Sequence, residues 1–290
     1  MTLRFNAFDP SKARRAARLS TLSVLAFAGL LGTGLVLEAC SADGGDTTSG
    51  KRVVLHTRVD LEPSAASSFT TATGWKVTLT KAALATGPFY YFDGPPPLVR
   101  RDEQRGFQYA LRFLGIAVAH AHPGHYQAGN AMGEMLEPYS IDLLAGTADF
   151  PDGDGITGTF RSARFSFGTP PTGPAAGAVG GHAALTEGKA EKDGESTRYF
   201  RASAELADIA KSAAEGHVEG CEFHEVNVGA DGLVTVLVNP SVWFNLVDFT
   251  LVEPGSEAAP TEFAAGTQPQ IAFAQGLAQL SAYKFTYSAQ

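Results

Sequence analysis

The chain is poor in cysteine: its 290 residues include two, Cys40 and Cys221. So low a count excludes a small scaffold stapled by disulfides. Hydrophobic residues make up 44% of the sequence, which excludes an intrinsically disordered or collagen-like chain. The sequence also lacks GxSxG, P-loop and HExxH motifs. No local pattern therefore marks a nucleophile, a P-loop nucleotide site or a zinc protease.

Positive charge is scarce outside the N-terminus. Of the 22 basic and 30 acidic residues, five basic and two acidic ones fall within residues 1–39. The rest of the chain therefore carries 17 basic and 28 acidic groups, a net charge of −11. A surface this acidic repels phosphate backbones, which excludes nucleic acid as a partner.

Residues 1–39 have the pattern of a lipoprotein signal peptide. A basic stretch precedes an uncharged, mostly apolar run over residues 21–37, and the sequence LEAC that ends at Cys40 resembles a bacterial lipobox. We predict cleavage before Cys40, acylation of this cysteine with a fatty acid such as palmitate, and a flexible tether over residues 40–50. The alternative is a membrane-spanning helix, because about seventeen residues is the lower limit for a span.

The predicted address is the cell envelope, with the protein anchored to a membrane by its N-terminal lipid. Ser41 follows the cysteine, a choice that resembles outer-membrane sorting in enteric bacteria. Lipidation of Cys40 leaves Cys221 without an intrachain disulfide partner. We expect Cys221 to be a buried small hydrophobe, and a metal thiolate is the alternative.

Alternating apolar and polar residues predict a mostly β protein. The predicted strands cover residues 52–59, 75–84, 88–92, 139–144, 158–167, 183–190, 198–206, 222–228, 233–238 and 283–287. Turns at residues 192–195 and 229–232 predict two hairpins, because Asp-Gly readily supplies positive φ angles. The predicted helices are few and cover residues 206–215, 240–244 and 270–280. Both tryptophans are expected in the core.

The strand pattern has no βαβ rhythm, which favours an antiparallel β-sandwich with few short helices. We predict a single domain over residues 51–290. A histidine-rich loop is inserted in it at residues 116–138, and residues 169–181 form a flexible connector.

Histidines are concentrated in one short segment. His120, His122 and His125 fall within six residues, where seven histidines in 290 residues would place about 0.14 by chance. Pro123 and Gly124 favour a turn, which can direct several imidazoles at one centre. Met132 and Met135 follow shortly after. Imidazole suits copper and zinc, and thioether sulfur favours Cu(I), so this set predicts a metal site for copper first and zinc second.

Four residues near the histidines could supply oxygen ligands to this metal site. Tyr126, Glu134, Glu137 and Asp142 are close enough in sequence to complete the coordination shell or to orient the imidazole rings. The alternative interpretation is a solvated structural turn, with the two methionines packed on one helix face.

Histidines elsewhere in the chain are more isolated. Glu222 and His224 share a strand face and could add ligands, although a solvated strand face is the simpler interpretation. His56, His182 and His217 are expected to be structural. The sequence DGDG at residues 152–155 looks like the start of a calcium loop, but Ala163 stands where an EF-hand needs glutamate.

The chain contains the segments GWKVTLTKAAL with FYYFDG, GITGTF with ARFSF, and LVTVLVNP ending at Trp243-Phe244. Together these three segments resemble the exported copper-binding β-sandwich family associated with methanobactin uptake, the MbnP-like proteins. The resemblance implies a periplasmic copper carrier that works beside a dihaem oxidase, which modifies a tryptophan near the metal. The Trp-x-Trp motif of some relatives is absent, and residues 120–125 match no ligand set of the family, so no ligand is carried over.

Two functions of different classes follow from these patterns. The first is a non-enzymatic lipoprotein that binds copper or zinc through its histidine-rich loop, in metal acquisition or handling. The second is a scaffold lipoprotein without metal, whose loop contacts another protein of the envelope. A hydrolase with a metal-activated water is a weaker third hypothesis, because no spacing marks a general base.

Overall fold

The computed structural model describes residues 50–63, 68–97 and 126–290. These residues belong to one compact unit, which runs from Thr48 to Gln290. The predicted signal peptide, Cys40, most of the tether and all three histidines at positions 120–125 lie outside the described residues.

The described chain is mostly β, with four short α-helices. The strands are β1 (Arg52–Leu61), β2 (Ser68–Thr70), β3 (Lys76–Thr86), β4 (Phe89–Phe92), β5 (Ala131–Met135), β6 (Tyr139–Asp142), β7 (Ala148–Ile156), β8 (Gly158–Ser166), β9 (Ala184–Glu191), β10 (Arg198–Ala204), β11 (His217–Val228), β12 (Gly232–Val238), β13 (Thr261–Glu262) and β14 (Tyr283–Ala289). The helices are α1 (Ala176–Val179), α2 (Leu206–Ile209), α3 (Pro240–Phe244) and α4 (Gln268–Leu277).

Eight of the strands close into a barrel, in the order β1-β12-β14-β11-β8-β4-β5-β7. The barrel interior follows from alternation: Val53, Leu55, Thr57 and Val59 of β1 are buried, while the residues between them are more exposed. Closure corrects the predicted β-sandwich. The alternating pattern specifies which face of a strand is buried, but it does not specify whether two sheets face each other or one sheet closes on itself.

The barrel also contains parallel neighbours, which corrects the antiparallel prediction. Strand β1 runs parallel to β12, from Leu55 opposite Gly232 to Leu61 opposite Val238, and β11 runs parallel to β14. The turn at residues 229–232 connects β11 to β12, but these strands do not pair. The C-terminal strand β14 lies between them, so the second predicted hairpin is wrong.

A second sheet of six strands has the order β13-β10-β9-β3-β2, and β6 pairs with β3. The hairpin predicted at residues 192–195 is confirmed, because β9 pairs with β10 and Gly194 has a φ of +79°. One hydrophobic cluster contains residues of both the barrel and the second sheet, including Leu55 of the barrel and Val77 of the sheet.

Strand β7 contains the DGDG sequence and was not predicted. Asp and Gly are rare in strands, but these glycines are required by packing. A Cβ atom at Gly155 would lie 2.7 Å from Leu55 Cδ1, and one at Gly133 of β5 would lie 2.9 Å from the same atom. The absence of side chains at both positions makes room for the leucine inside the barrel.

The helices differ in length from the prediction. Helix α3 begins with Pro240 at its first turn, and the Asn239 side chain accepts a hydrogen bond of 3.0 Å from Ser241 N, which caps it. Helix α2 covers only the start of the predicted 206–215, and α1 lies within the predicted connector. Both tryptophans, Trp75 and Trp243, are fully buried, as expected.

Candidate functional site

The chain between strands β4 and β5 contains the histidine-rich segment, of which residues 116–125 lie outside the described ranges. Strands β4 and β5 pair antiparallel, and their pairing continues beyond the strands. Asp93 accepts hydrogen bonds of 2.7 Å and 2.8 Å from the backbone and side-chain nitrogens of Asn130. Gly94 N also donates to Ala128 O across 2.9 Å. The two ends of the chain that flank residues 98–125 are therefore joined at a closed base on the barrel.

Tyr126 fixes the returning end of this loop to the neighbouring strand β8. Its hydroxyl group lies 2.6 Å from the Ser162 hydroxyl, which donates a hydrogen bond of 2.6 Å to Gly94 O. Because the Ser162 proton is used in that bond, Ser162 accepts from Tyr126. Partial burial raises the pKa of the Tyr126 phenol above its ordinary value. The phenol is thus neutral at physiological pH and bonded to Ser162, which suits anchoring better than metal ligation.

Pro97 and Tyr126, the described residues on either side of residues 98–125, both lie against Gly220 of β11. A Cβ atom at this position would lie 2.5 Å from Pro97 Cδ and 3.4 Å from Tyr126 Cδ2, so these two residues are neighbours. Gly220 also has a φ of +77°, which disfavours any side chain. Neither Ser162 nor Gly220 was identified from sequence. Gly220 itself was the available signal in the sequence, because a glycine within a strand often marks a place where other atoms approach the backbone closely.

A positively charged side chain, that of Arg164, lies on the barrel wall beside Tyr126. Arg164 lies over the rings of Tyr90 and Phe92, with 5.4 Å and 5.9 Å from its guanidinium carbon to the ring centroids. Its guanidinium group also pairs with Glu219. Exposed pairs of this kind add little stability, but stacking on two rings holds the guanidinium in place.

Glu222 and His224 are both exposed on β11, with the buried Phe223 between them, as the shared strand face predicts. Glu222 lies directly opposite Ser162, so its side chain is on the same outer face as the Tyr126 anchor. The register of β11 then shifts between Glu222 and Val226, which leaves His224 in a bulge. These side chains are available to a ligand bound beside the loop.

The two methionines are not brought together. Both lie on strand β5, and Met132 is the extra residue where the register of β5 against β4 shifts. Met135 is fully buried within the barrel core, whereas Met132 is only partly buried, with its terminal methyl beside Gly158. The helical spacing considered in the sequence therefore does not apply, because residues 131–135 form a barrel strand.

The oxygen groups near the segment are also separated. Glu134 lies on β5 opposite Asp154 of β7, and Glu137 is exposed between β5 and β6. Asp142 belongs to the second sheet, where its carboxylate accepts hydrogen bonds from the backbone nitrogens of Leu144 and Ala82. Asp142 thus stabilises a turn.

The remaining histidines each face a carboxylate. His56 Nδ1 lies 2.6 Å from Asp152 Oδ1, and His217 Nε2 lies 3.8 Å from Glu215 Oε2. His182 pairs with Glu205 at the start of α2. Each of these pairs holds only one histidine, in keeping with the structural role expected of them.

Cys221 is buried, as expected, next to Gly220. Its thiol donates a hydrogen bond of 3.3 Å to Val218 O. Burial raises the pKa of the Cys221 thiol to about 12. The thiolate form that binds metals is therefore strongly disfavoured in the folded protein.

Within residues 50–63, 68–97 and 126–290, no three His, Cys, Asp or Glu side chains are grouped so as to hold a metal ion. The helices in the same ranges are too short or too polar to cross a membrane. Comparison of the chain with protein-family models, curated proteins and solved structures found no significant match.

Proposed function

We propose that this protein is an exported lipoprotein that binds a copper or zinc ion through His120, His122 and His125, and that it acts in metal acquisition or handling. The proposal is carried by the concentration of three imidazoles within six residues, in a chain with only seven histidines. Imidazole nitrogen is a good ligand for both metals.

The fixed ends of the loop support this proposal. Tyr126 directly follows His125, and its hydrogen bond to Ser162 ties this end of the segment to the barrel. A segment whose ends are already held has less conformational entropy to lose when it binds a metal. Glu222 lies on the same outer face and can accept a hydrogen bond from an imidazole N–H, which would orient the ring.

The separation of the methionines bears on the metal. Met135 is fully buried in the barrel core, out of reach of a metal bound outside the barrel, so the pair of thioethers no longer supports Cu(I). Imidazoles without sulfur suit Cu(II) and zinc, and these are the ions that we propose.

The cell-envelope address is part of the proposal. Cys40 would carry the lipid, residues 41–50 would form the tether, and the folded unit would face the periplasm or the cell surface from the outer membrane. Full-length chain expressed in a bacterial host should be recovered from membranes with an acylated N-terminal Cys40 by mass spectrometry. The Cys40→Ser variant should be released without lipid. Equal recovery of both proteins in soluble form would contradict the anchor.

We propose binding rather than catalysis. Cys221, the one free thiol among the described residues, is buried and protonated, and the described histidines His56, His182 and His217 pair with carboxylates and form no hydrogen bond to a serine or cysteine side chain. A hydrolase would therefore depend wholly on a water activated by the metal.

The metal site is tested by elemental analysis of the chain from Ser41 onward, purified without a histidine tag. It is compared with a variant that carries His120→Ala, His122→Ala and His125→Ala, and with a control that carries His56→Ala, His182→Ala and His217→Ala. We expect one copper or zinc ion in the parent and control proteins and none in the first variant. Bound metal should also raise the melting temperature, by an amount set by its concentration and affinity.

Negligible metal in all three proteins, after exposure to Cu(I), Cu(II) and zinc, would contradict the site. The remaining function would then be the scaffold lipoprotein, whose loop contacts another protein of the envelope.

A further inference from the structure

The outer face of the second sheet carries a cleft at a distance along the chain from the histidine segment. We call it the Tyr199 cleft, and its lining includes Thr78, Thr80, Glu187, Lys189, Tyr199 and Glu257. Its volume is about 200 Å³. Sites for drug-sized ligands have about 300–1,000 Å³, so this cleft fits a ligand of the size of a single sugar ring.

The floor of the cleft is formed by side chains that lie side by side on three neighbouring strands. Thr78 lies opposite Lys189, and Lys189 lies opposite Tyr199, which places three side chains from β3, β9 and β10 on one face. A register shift between Leu79 and Lys81 adds Thr80 as a bulge residue beside this row. Bulges of this kind often redirect a side chain near a binding site.

The wall of the cleft is preformed by the segment that precedes β13. Ser256 and Ala259 exchange two backbone hydrogen bonds of 3.1 Å, which holds Glu257 between them in a closed turn. The end of this segment is fixed where Thr261 pairs with Phe200 of β10. The cleft therefore does not need to be assembled by its ligand.

The charges at the cleft disfavour an anionic ligand. Lys189 pairs with Glu191 at 3.1 Å, and Glu187 faces Arg201 at 3.6 Å, so each of these charges has a partner. The carboxylate of Glu257 forms no ion pair with another described residue, and it leaves the lining acidic. Phosphates and acidic sugars would be repelled.

The polar groups match a hydroxyl-rich ligand. Thr78, Thr80 and Tyr199 present hydroxyl groups that can both donate and accept, and Glu257 accepts only. None of these four side chains hydrogen-bonds to another residue of the described ranges. The Tyr199 ring adds an apolar face for the carbon–hydrogen face of a sugar.

We infer that the Tyr199 cleft binds one neutral sugar unit, either as a free monosaccharide or as a residue of a glycan. The partly exposed tyrosine supplies the stacking surface, and Glu257 accepts hydrogen bonds from adjacent hydroxyl groups. This site is independent of the proposed metal site.

Saturation-transfer NMR on the chain from Ser41 onward tests the inference. The probes are glucose, galactose, mannose and N-acetylglucosamine, together with maltotriose and chitotriose. We expect at least one probe to bind with a dissociation constant on the order of 1 mM, because so small a ligand buries little surface. Binding of a monosaccharide indicates a free sugar as the ligand, and binding of a trisaccharide alone indicates a glycan.

Variants locate the binding. Glu257→Gln should weaken it by about tenfold, because a hydrogen bond to a charged acceptor is lost, whereas Glu253→Gln outside the cleft should leave it unchanged. Tyr199→Ala should abolish binding, and Tyr199→Phe should retain part of it. The inference is overturned if no probe binds at tens of millimolar, or if binding survives both Glu257→Gln and Tyr199→Ala.

Discussion

The Tyr126 hydroxyl group lies 2.6 Å from the buried hydroxyl group of Ser162, and this contact joins the end of the histidine segment to a strand outside its own hairpin. Tyr126 belongs to the β4–β5 loop, whereas Ser162 belongs to β8. The chain is therefore held against the barrel wall at Tyr126, the residue that follows His125. The following predictions test this anchor, the glycine beside it and the buried thiol.

The Tyr126→Phe substitution removes the donor to Ser162. We expect a loss of about 1 kcal/mol in the free energy of unfolding, measured by urea denaturation, because one hydrogen bond to a buried hydroxyl is lost. Tyr90→Phe is the matched control, since the Tyr90 hydroxyl makes no hydrogen bond to another described residue. A loss of the same size in both variants would show that the Ser162 contact is not the cause.

The Gly220→Ala substitution tests the meeting point of Pro97 and Tyr126. Gly194→Ala is the control, because Gly194 has a similar φ of +79° but no other residue would lie within 4 Å of its added methyl group. The control should cost about 1–2 kcal/mol from backbone strain alone. Gly220→Ala should cost about 2–4 kcal/mol, because its methyl group would also lie 2.5 Å from Pro97 Cδ. Equal costs in thermal or urea unfolding would mean that Pro97 moves away freely.

Replacement of residues 98–125 by a short Gly-Ser linker should leave the barrel folded. Pro97 and Tyr126 both contact Gly220, so a short linker can join them, and a shorter loop costs less entropy to close. The near-ultraviolet circular dichroism from buried Trp75 and Trp243 should retain a cooperative thermal transition, while metal binding is lost. Loss of that transition would show that the excised segment is part of the core.

Cys221 predicts a decline of stability in alkali. Its folded pKa is raised to about 12 from an ordinary value of 9.0, so the unfolded chain releases this proton first as the pH rises. The stabilisation by the buried thiol is complete below pH 9 and is lost progressively up to the folded pKa. By pH 10 the loss should reach about 1.4 kcal/mol.

The prediction is checked by measuring the free energy of unfolding with urea at pH 8 and pH 10, in the parent protein and in the Cys221→Ala variant. Tyrosines also begin to ionise near pH 10 in the unfolded chain, and they do so in both proteins. The difference in pH dependence between the two proteins therefore isolates the thiol. Identical pH dependence would mean that the thiol ionises as readily in the folded protein as in the unfolded chain.

Much of the secondary structure could be predicted from the sequence, and the strand neighbours could not. The alternation in RVVLHTRV correctly predicts β1, and Asp193-Gly194 correctly predicts the β9–β10 hairpin. The similar turn at Asp231-Gly232 gave a wrong hairpin, because β14, fifty residues later, pairs with both flanking strands. Pairing with a distant segment gains its energy from tertiary contacts that no local pattern records.

Part of the candidate site could likewise be predicted from the sequence, and part could not. The sequence identifies the histidine cluster by composition, and this cluster stays a prediction. It does not reveal Ser162 or Gly220, which meet Tyr126 only after the barrel has closed. The sequence also suggests a joint role for Met132 and Met135, but the fold buries Met135 in the barrel core, where it cannot serve a site outside the barrel.

The sequence by itself determined that this chain is mostly β, that Cys221 and both tryptophans are buried, and that one turn is an Asp-Gly hairpin. These features depend on local backbone preferences and on the burial of apolar side chains. Only the tertiary structure decided that the strands close into a barrel with parallel neighbours, and that Pro97 and Tyr126 meet at Gly220. Those features depend on which distant segments pair and pack, and that is set by the folded chain as a whole.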